Sequence, residues 1–444
     1  MKLKNTLCMA ASLLLSALLL AGCGQTADTP ATPAAPAPDA AVTAAPVESA
    51  RPEPEEPPAA YTGALADREG RELDPALYPE LKGAQTTFMD YLSAGDTVCL
   101  TVDLSLQDRA AEILTEDLRG APGSAVVVRV DTGEPLAIVS AGGADALTSE
   151  YQPYGLFFPC TAIAALSENV VTPETTVKCN GVYDRYSDEG YAPECWIWDL
   201  ESRMSWADSG YTHPEETVTT ALRDGCDYFF YSLGNDLGID RLSKYVSALG
   251  LGQPTGIELT ESVGRIAAAA EGREWGIRDA IETAAGRGGS AFTTLQYAEY
   301  CAALANRGAR YSASILSSVT DADGAAVYAR EAQALTDSPL AESEAANWDA
   351  VQQGMYETMN NRFNEALYRI HSQNQWKLAG EYGYGDDCQL FMGYAPYDAP
   401  QIAVAVAVER SDGDFTVDMS DPASGAFGAA QLIAQEIFEA YLGK

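Results

Sequence analysis

Three residues of this chain are candidate nucleophiles: Cys160, Ser167 and Cys226. A thiol or hydroxyl becomes reactive when a neighbouring histidine or lysine removes its proton. The chain has two histidines, His213 and His371, and neither adjoins a candidate in the sequence. We therefore expect none of the three to react, and the sequence predicts no Ser-His-Asp triad, no metal site and no other cofactor.

The composition limits the kind of protein this chain forms. Its 444 residues are 47% hydrophobic, which is enough for one large domain or two ordinary ones. Asp and Glu number 64 against 27 Lys and Arg, giving a formal net charge of -37. An excess of that size argues against nucleic acid and against electrostatic docking on anionic lipid. The simplest interpretation is a soluble acidic protein outside the cytoplasm.

The N-terminus predicts export. Residues 1–22 carry Lys2 and Lys4 and then an apolar run that is short for a membrane span, as in a secretory signal. Leu20-Ala21-Gly22-Cys23 resembles the bacterial lipobox, whose cysteine is lipidated and becomes the mature N-terminus. The resemblance implies a protein held at the extracytoplasmic face of the cell membrane by lipid on Cys23. The alternative is an ordinary signal peptide or an uncleaved anchor.

Residues 23–60 are rich in Ala, Pro and acidic residues without apolar periodicity, which predicts a disordered tether. Seven cysteines follow it, and their odd number leaves at least one thiol free or paired with another chain. Cys179 and Cys195 flank a Gly- and Asp-rich loop and are the predicted disulfide. The alternative is that both remain unpaired at the rim of the loop.

Regular structure is predicted from residue 97 onward. Alternating apolar residues favour strands at 97–103, 123–130 and 136–140, and residues 104–118 have helical spacing. Residues 151–166 run from a Pro-containing turn into an Ala-rich apolar segment, as at the start of a buried helix. Further strands and a closing amphipathic helix are predicted near the C-terminus, at residues 376–379, 390–394, 402–409 and 427–442.

Several of these segments resemble the penicillin-binding transpeptidases of class B. The family's nucleophile helix, Tyr-x-Pro-Gly-Ser-Thr-Phe-Lys-Pro-x-Thr-Ala, is in register at Tyr151, Pro153, Phe157, Pro159, Thr161 and Ala162. Residues 251–259, Leu-Gly-Gln-Pro-Thr-Gly-Ile-Glu-Leu, match another family string almost letter for letter. The resemblance covers residues 97–442. It implies an α/β (α+β) fold in which helices sandwich an antiparallel sheet beside an all-helical half. It also leaves residues 61–96 as a short remnant before a transpeptidase-like domain at 97–444.

The residues that carry the family's chemistry are replaced at all three motifs. Gly155 and Phe158 stand at the serine and lysine of the first motif, and Gly225 and Asp227 at the serine and asparagine of the second. In the third, Lys-Thr-Gly, Glu381 stands at the lysine, Tyr382 at the threonine, and Gly383 is retained. Loss of a serine nucleophile costs on the order of a millionfold in rate.

The substitutions at Phe158, Asp227 and Glu381 also predict a groove too acidic to hold a carboxylate. Arg287 is either a partner of Asp227 or Glu381 or a solvated surface arginine. The sequence therefore predicts an inactive homologue at the cell surface, a scaffold or regulator of peptidoglycan synthesis, with peptidoglycan or wall-synthesis proteins as partners. One alternative is an active D,D-transpeptidase acting on stem peptides. Another is a surface protein that binds a ligand in an acidic, aromatic-lined cleft.

Overall fold

The computed structural model describes residues 61–118, 120–198, 209–267, 276–335, 339–360, 377–385, 387–409 and 428–443. The predicted signal, Cys23 and the predicted tether lie outside these residues. The described strands, in chain order, are β1 (Ala64–Ala66), β2 (Thr97–Leu100), β3 (Gly123–Arg129), β4 (Pro135–Ala141), β5 (Glu150–Tyr151), β6 (Val177–Lys178), β7 (Glu215–Glu216), β8 (Phe292–Thr293), β9 (Arg310–Tyr311), β10 (Leu316–Thr320), β11 (Ala326–Ala329), β12 (Ala334–Leu335), β13 (Ala379–Tyr384), β14 (Cys388–Ala395) and β15 (Ile402–Glu409).

Helices are the other regular elements of the described residues. Three short 3-10 helices occupy Pro79–Leu81, Tyr154–Phe157 and Ser187–Glu189. The α-helices are α1 (Lys82–Thr87), α2 (Met89–Ala94), α3 (Leu104–Leu118), α4 (Phe158–Ser167), α5 (Val218–Asp224), α6 (Asp227–Leu237), α7 (Ile239–Ala248), α8 (Ile277–Ala284), α9 (Thr294–Ala305), α10 (Ala345–Asn360) and α11 (Ala429–Leu442). Within the described ranges, none of these helices is long and apolar enough to span a bilayer.

The central sheet has five strands in the order β13-β14-β15-β3-β4, and every neighbouring pair is antiparallel. Side chains of a strand alternate between faces, so a sheet covered on both sides needs apolar residues at every position. The sequence of β15, Ile-Ala-Val-Ala-Val-Ala-Val-Glu, meets that requirement, and its first seven residues are buried. The predicted antiparallel sheet is confirmed.

Two helical layers cover the sheet. Val127 of β3 and Val404 of β15 face α3 and α11, where they join a cluster that includes Ile113 and Ile437. Val126 and its alternate neighbours face the opposite way, into the larger cluster that contains α4 and α9. The predicted sandwich of helices about the sheet is therefore present, and α5, α6 and α7 of the helical half contact α4.

Predicted and observed boundaries agree closely where the apolar pattern is strong. The helix predicted at 104–118 and the strand predicted at 402–409 have those bounds in the structure. Residues 61–96 contribute β1, which pairs in parallel with β2 in a separate sheet of order β1-β2-β10-β11. The segment predicted to be a remnant thus forms regular structure with the main domain.

Candidate functional site

The three motif positions lie on three separate elements. Gly155 is in the 3-10 helix that leads into α4, Gly225 and Asp227 form the turn between α5 and α6, and Glu381 and Gly383 lie on β13. The 3-10 helix contacts β13, and α4 contacts α6. The three motif positions therefore lie on elements that pack on one another.

At Gly155 the backbone of the 3-10 helix lies directly against β13. A Cβ atom built on Gly155 would overlap the carbonyl oxygen of Tyr382. A Cβ on Gly383, on the facing strand, would lie 2.8 Å from the carbonyl oxygen of Pro153. Both glycines permit an approach between backbones that any side chain would prevent. Main-chain atoms of β13 consequently occupy the space beside Gly155, the residue that the sequence aligned with the family's nucleophile.

Phe158, at the position of the family's lysine, is part of the hydrophobic core. Its ring stacks on that of Phe230 from α6, with centroids 4.0 Å apart and planes within 2° of parallel. Only 5% of the residue is exposed. Burial of an aromatic pair of this kind stabilises the contact between α4 and α6, and it provides no proton acceptor.

The second motif is held by backbone conformation and by a buried carboxylate. Gly225 ends α5 with φ +63°, a left-handed conformation in which glycine is strongly favoured. Asp227 begins α6, where its Oδ2 accepts a hydrogen bond of 2.8 Å from the amide of Trp196. Arg287 lies 3.4 Å from Oδ1, so the predicted pairing with Asp227 is confirmed.

Glu381 lies in the core, whereas the sequence predicted that it makes the groove acidic. The residue is 3% exposed, and its Oε1 accepts a hydrogen bond of 3.1 Å from the hydroxyl of Thr358 on α10. Burial raises the pKa of this carboxyl well above its ordinary value, because the charged form is poorly solvated there. Burial thus favours the neutral form of Glu381, which lies in the core and not on an open groove.

The remaining candidate nucleophiles are not activated. Cys160 is fully buried in α4, and burial raises the pKa of its thiol, which disfavours the reactive thiolate. The hydroxyl of Ser167 donates to Ser343 over 3.0 Å. Cys226 lies in a different environment, among two other cysteines and a histidine.

That environment is a buried cluster of Cys179, Cys195, His213 and Cys226, whose potential ligand atoms all lie within 4.8 Å of one another. All seven cysteines among the described residues carry free thiols, so the predicted disulfide between Cys179 and Cys195 is not formed in the structure. Hydrogen bonds from Cys195 and Cys226 lower the pKa of Cys179. This is a donor set for a soft or borderline divalent metal, although the sequence analysis expected none.

The cluster escaped sequence reasoning because its members are far apart along the chain. Metal sites are recognised most readily from close pairs such as Cys-x-x-Cys, and no such pair is present here. Cys179 and Cys195 were taken together for their shared loop. His213 could have completed the set only if the pairing of its segment with that loop had been foreseen.

The antiparallel sheet between helical layers is the fold of the penicillin-binding transpeptidases. The family described as "Penicillin binding protein transpeptidase domain" matches residues 123–438, which is most of the chain. The chain belongs to that family.

Two comparisons support this assignment. The peptidoglycan D,D-transpeptidase MrdA of Haemophilus influenzae is 28% identical over 79% of this chain and 57% of its own length. The chain thus spans little more than half of that relative. Among solved structures, Pseudomonas aeruginosa PBP2 in complex with WCK 5153 is similar with a TM-score of 0.67 and 22% identity, over 86% of this chain and 96% of that one. A D,D-transpeptidase domain from Eggerthella lenta gives a TM-score of 0.68 at 19% identity, over 86% and 98%. Both structures support the fold.

Proposed function

We propose that this chain is a catalytically silent penicillin-binding protein of the cell surface that acts as a scaffold or regulator in peptidoglycan synthesis. The observation that carries the proposal is the closure at Gly155, where the backbone lies against the carbonyl of Tyr382 and leaves no space for a serine side chain. Acyl transfer needs a nucleophile beside a base and a site for the acyl group. Phe158 supplies no base, since its ring is stacked on Phe230.

Labelling with a fluorescent penicillin tests the catalytic part of the proposal. The expected result is no covalent label on the purified chain under conditions in which an active penicillin-binding protein in the same tube is labelled fully. The variant Cys160→Ala serves as a control for adventitious thiol acylation. A stable label on the wild-type chain that disappears on replacement of one residue would show an active enzyme and overturn the proposal.

A role in wall synthesis is supported by the family and by the name of the relative from H. influenzae, a peptidoglycan D,D-transpeptidase. If the chain acts through its surface, deletion alters cell shape or wall cross-linking, and a copy lacking the candidate nucleophiles Cys160 and Ser167 restores the normal phenotype. Restoration by the wild-type copy alone would indicate that one of these residues takes part in chemistry. A deletion without any change in shape or cross-linking would contradict the role itself.

Attachment through lipid on Cys23 completes the proposal. Its support is the coincidence of Lys2, Lys4, the apolar run and Leu-Ala-Gly-Cys at residues 20–23. Radiolabelled palmitate is expected to enter the wild-type chain and to be absent from Cys23→Ala. Incorporation that persists in Cys23→Ala would place the lipid elsewhere and contradict the predicted anchor.

A further inference from the structure

The buried group Cys179, Cys195, His213 and Cys226, called here the Cys3His cluster, is the set of polar side chains that the proposed function leaves unexplained. We infer that the Cys3His cluster binds a zinc ion with all four side chains as ligands. The site would be closed and structural, because four protein ligands complete the tetrahedral coordination that zinc prefers.

The distances fit a zinc ion. Zinc–sulfur bonds of about 2.3 Å at tetrahedral angles place ligand atoms about 3.8 Å apart. The four potential ligand atoms lie within 4.8 Å of one another, and the Sγ of Cys195 is 3.5 Å from the Nδ1 of His213. Contraction by less than about 1 Å brings the set to bonding geometry. Thiolate and imidazole donors together favour zinc over magnesium or calcium, which take oxygen ligands.

Three local structures bring these distant residues together. Strand β6 pairs with β7, so that Cys179, just after β6, lies beside the segment that contains His213. The amide of Cys195 donates to the carbonyl of Gly181 over 2.7 Å, which folds the intervening loop back on itself. Cys226 follows the left-handed Gly225 and caps the N-terminus of α6. Each ligand is thus placed by main-chain hydrogen bonds rather than by a flexible tail.

A second observation is that these polar side chains are buried together. His213 is 6% exposed, and with its Nδ1 turned toward Cys195 its Nε2 has no hydrogen-bond partner. The Sγ of Cys179 accepts a hydrogen bond of 3.4 Å from the amide of Gly181, and the Sγ of Cys195 faces the Nδ1 of His213. Thiols are weak hydrogen-bonding groups, so burying three of them with an imidazole is costly unless a cation binds them. Coordination by a cation uses the donors that face the cluster and removes that cost.

The position of the site indicates what the metal does. Cys226 lies between Gly225 and Asp227, and Asp227 in turn accepts the amide of Trp196, the neighbour of Cys195. Zinc bound here would fasten the loop that contains Cys195 to the start of α6, at the degenerate second motif. The ion stabilises this half of the fold and takes no part in a reaction.

Metal content tests the inference directly. The full chain, purified without chelators, is expected to hold about one zinc ion per molecule by inductively coupled plasma mass spectrometry. Cys226→Ser and His213→Ala are each expected to reduce this at least tenfold. Cys301→Ser is the matched control, because Cys301 is equally buried, in α9, outside the cluster. It should retain the wild-type zinc content.

Cobalt substitution and the melting temperature of the wild-type chain are readouts that do not require a variant to fold. The cobalt-loaded wild-type chain should show the ligand-field bands of a tetrahedral ion and a sulfur-to-cobalt charge-transfer band. A chelator should lower its Tm by several degrees and leave that of Cys226→Ser unchanged. A wild-type chain without metal whose Tm is insensitive to zinc would overturn the inference, as would a Cys179–Cys195 disulfide found in the purified chain by mass spectrometry.

Discussion

The surroundings of Gly155 and those of Cys226 differ in polarity: the first are main chain and aromatic rings, and the second are thiols and an imidazole. At Gly155 main chain of β13 fills the position, and the stacked rings of Phe158 and Phe230 lie in the helices that follow. At Cys226 polar side chains have accumulated instead, and His213 beside them has a buried nitrogen without a partner. The first region is therefore built as hydrophobic core, and the second has the side chains of a metal site.

This comparison predicts that the first region responds to changes in packing and the second to metal. Phe158→Ala is the substitution expected to have the largest effect on packing around Gly155. Removal of the stacked ring should lower the free energy of unfolding by about 3–5 kcal/mol, the range for large-to-small substitutions of buried aromatics. Urea denaturation measures it, and Leu77→Ala, at a residue that is 72% exposed, is the control, with an expected change within about 0.5 kcal/mol. A loss below about 1 kcal/mol at Phe158 would mean that its ring does not hold α4 against α6.

Gly155→Ala examines the closed backbone with a smaller expected effect. The added Cβ must displace the carbonyl of Tyr382, so we expect a destabilisation of about 1–3 kcal/mol, as for overpacking in a core. Gly289→Ala is the matched control, since its Cβ would meet only the Cβ of Ala267, at 3.9 Å. In addition, Gly155→Ser should restore no penicillin labelling. An unchanged stability for Gly155→Ala would indicate that the cleft can open.

The features that the sequence predicted are those that depend on local sequence. A continuous apolar run predicted β15 and helical spacing predicted α3, because burial on both faces of a sheet or on one face of a helix is recorded in the local sequence. These features depend on neighbours in sequence or on strings of fixed length.

Features that depend on neighbours in space were the ones missed. A formal charge was assigned to Glu381, whereas the carboxyl lies in the core beside Thr358, and the orientation of a strand side chain toward a helix is not encoded locally. The Cys3His cluster likewise requires the pairing of β6 with β7 and the cap of α6. Neither the burial of Glu381 nor the Cys3His cluster can be predicted from residue spacing along the chain.

Glu381 also provides a prediction for the pH dependence of stability. Its pKa is raised by burial in the folded state, and in the unfolded chain the carboxyl titrates near its ordinary 4.5. The stabilisation from this group is therefore fully present below pH 4.5 and is lost as the pH rises toward the folded pKa, by up to about 1.4 kcal/mol per pH unit. Glu381→Gln does not titrate, so its stability relative to wild type should increase as the pH rises from 4.5.

Urea denaturation of both chains across this range measures the difference. Glu299→Gln is a second variant for the same measurement, because burial raises the pKa of Glu299 to about 8. The difference in unfolding free energy between Glu299→Gln and wild type should therefore stop changing above about pH 8. A constant difference between Glu381→Gln and wild type would show that Glu381 is solvated in the folded state. The groove would then be acidic, as the sequence first suggested.

The smallest expected effect concerns the ion pair that joins the two regions. Arg287 lies 3.4 Å from Asp227, and 39% of its side chain is exposed, so water screens much of the attraction. Arg287→Ala should therefore lower the free energy of unfolding by about 1 kcal/mol or less. Arg278→Ala, which removes a more exposed pair with Glu189 at 3.5 Å, should cost less still. Since Asp227 retains its hydrogen bond from Trp196, beside the cluster, Arg287→Ala should leave the zinc content unchanged. Loss of zinc in Arg287→Ala would instead show that the two regions are coupled through Asp227, and the division between a packed region and a metal-dependent one would no longer hold.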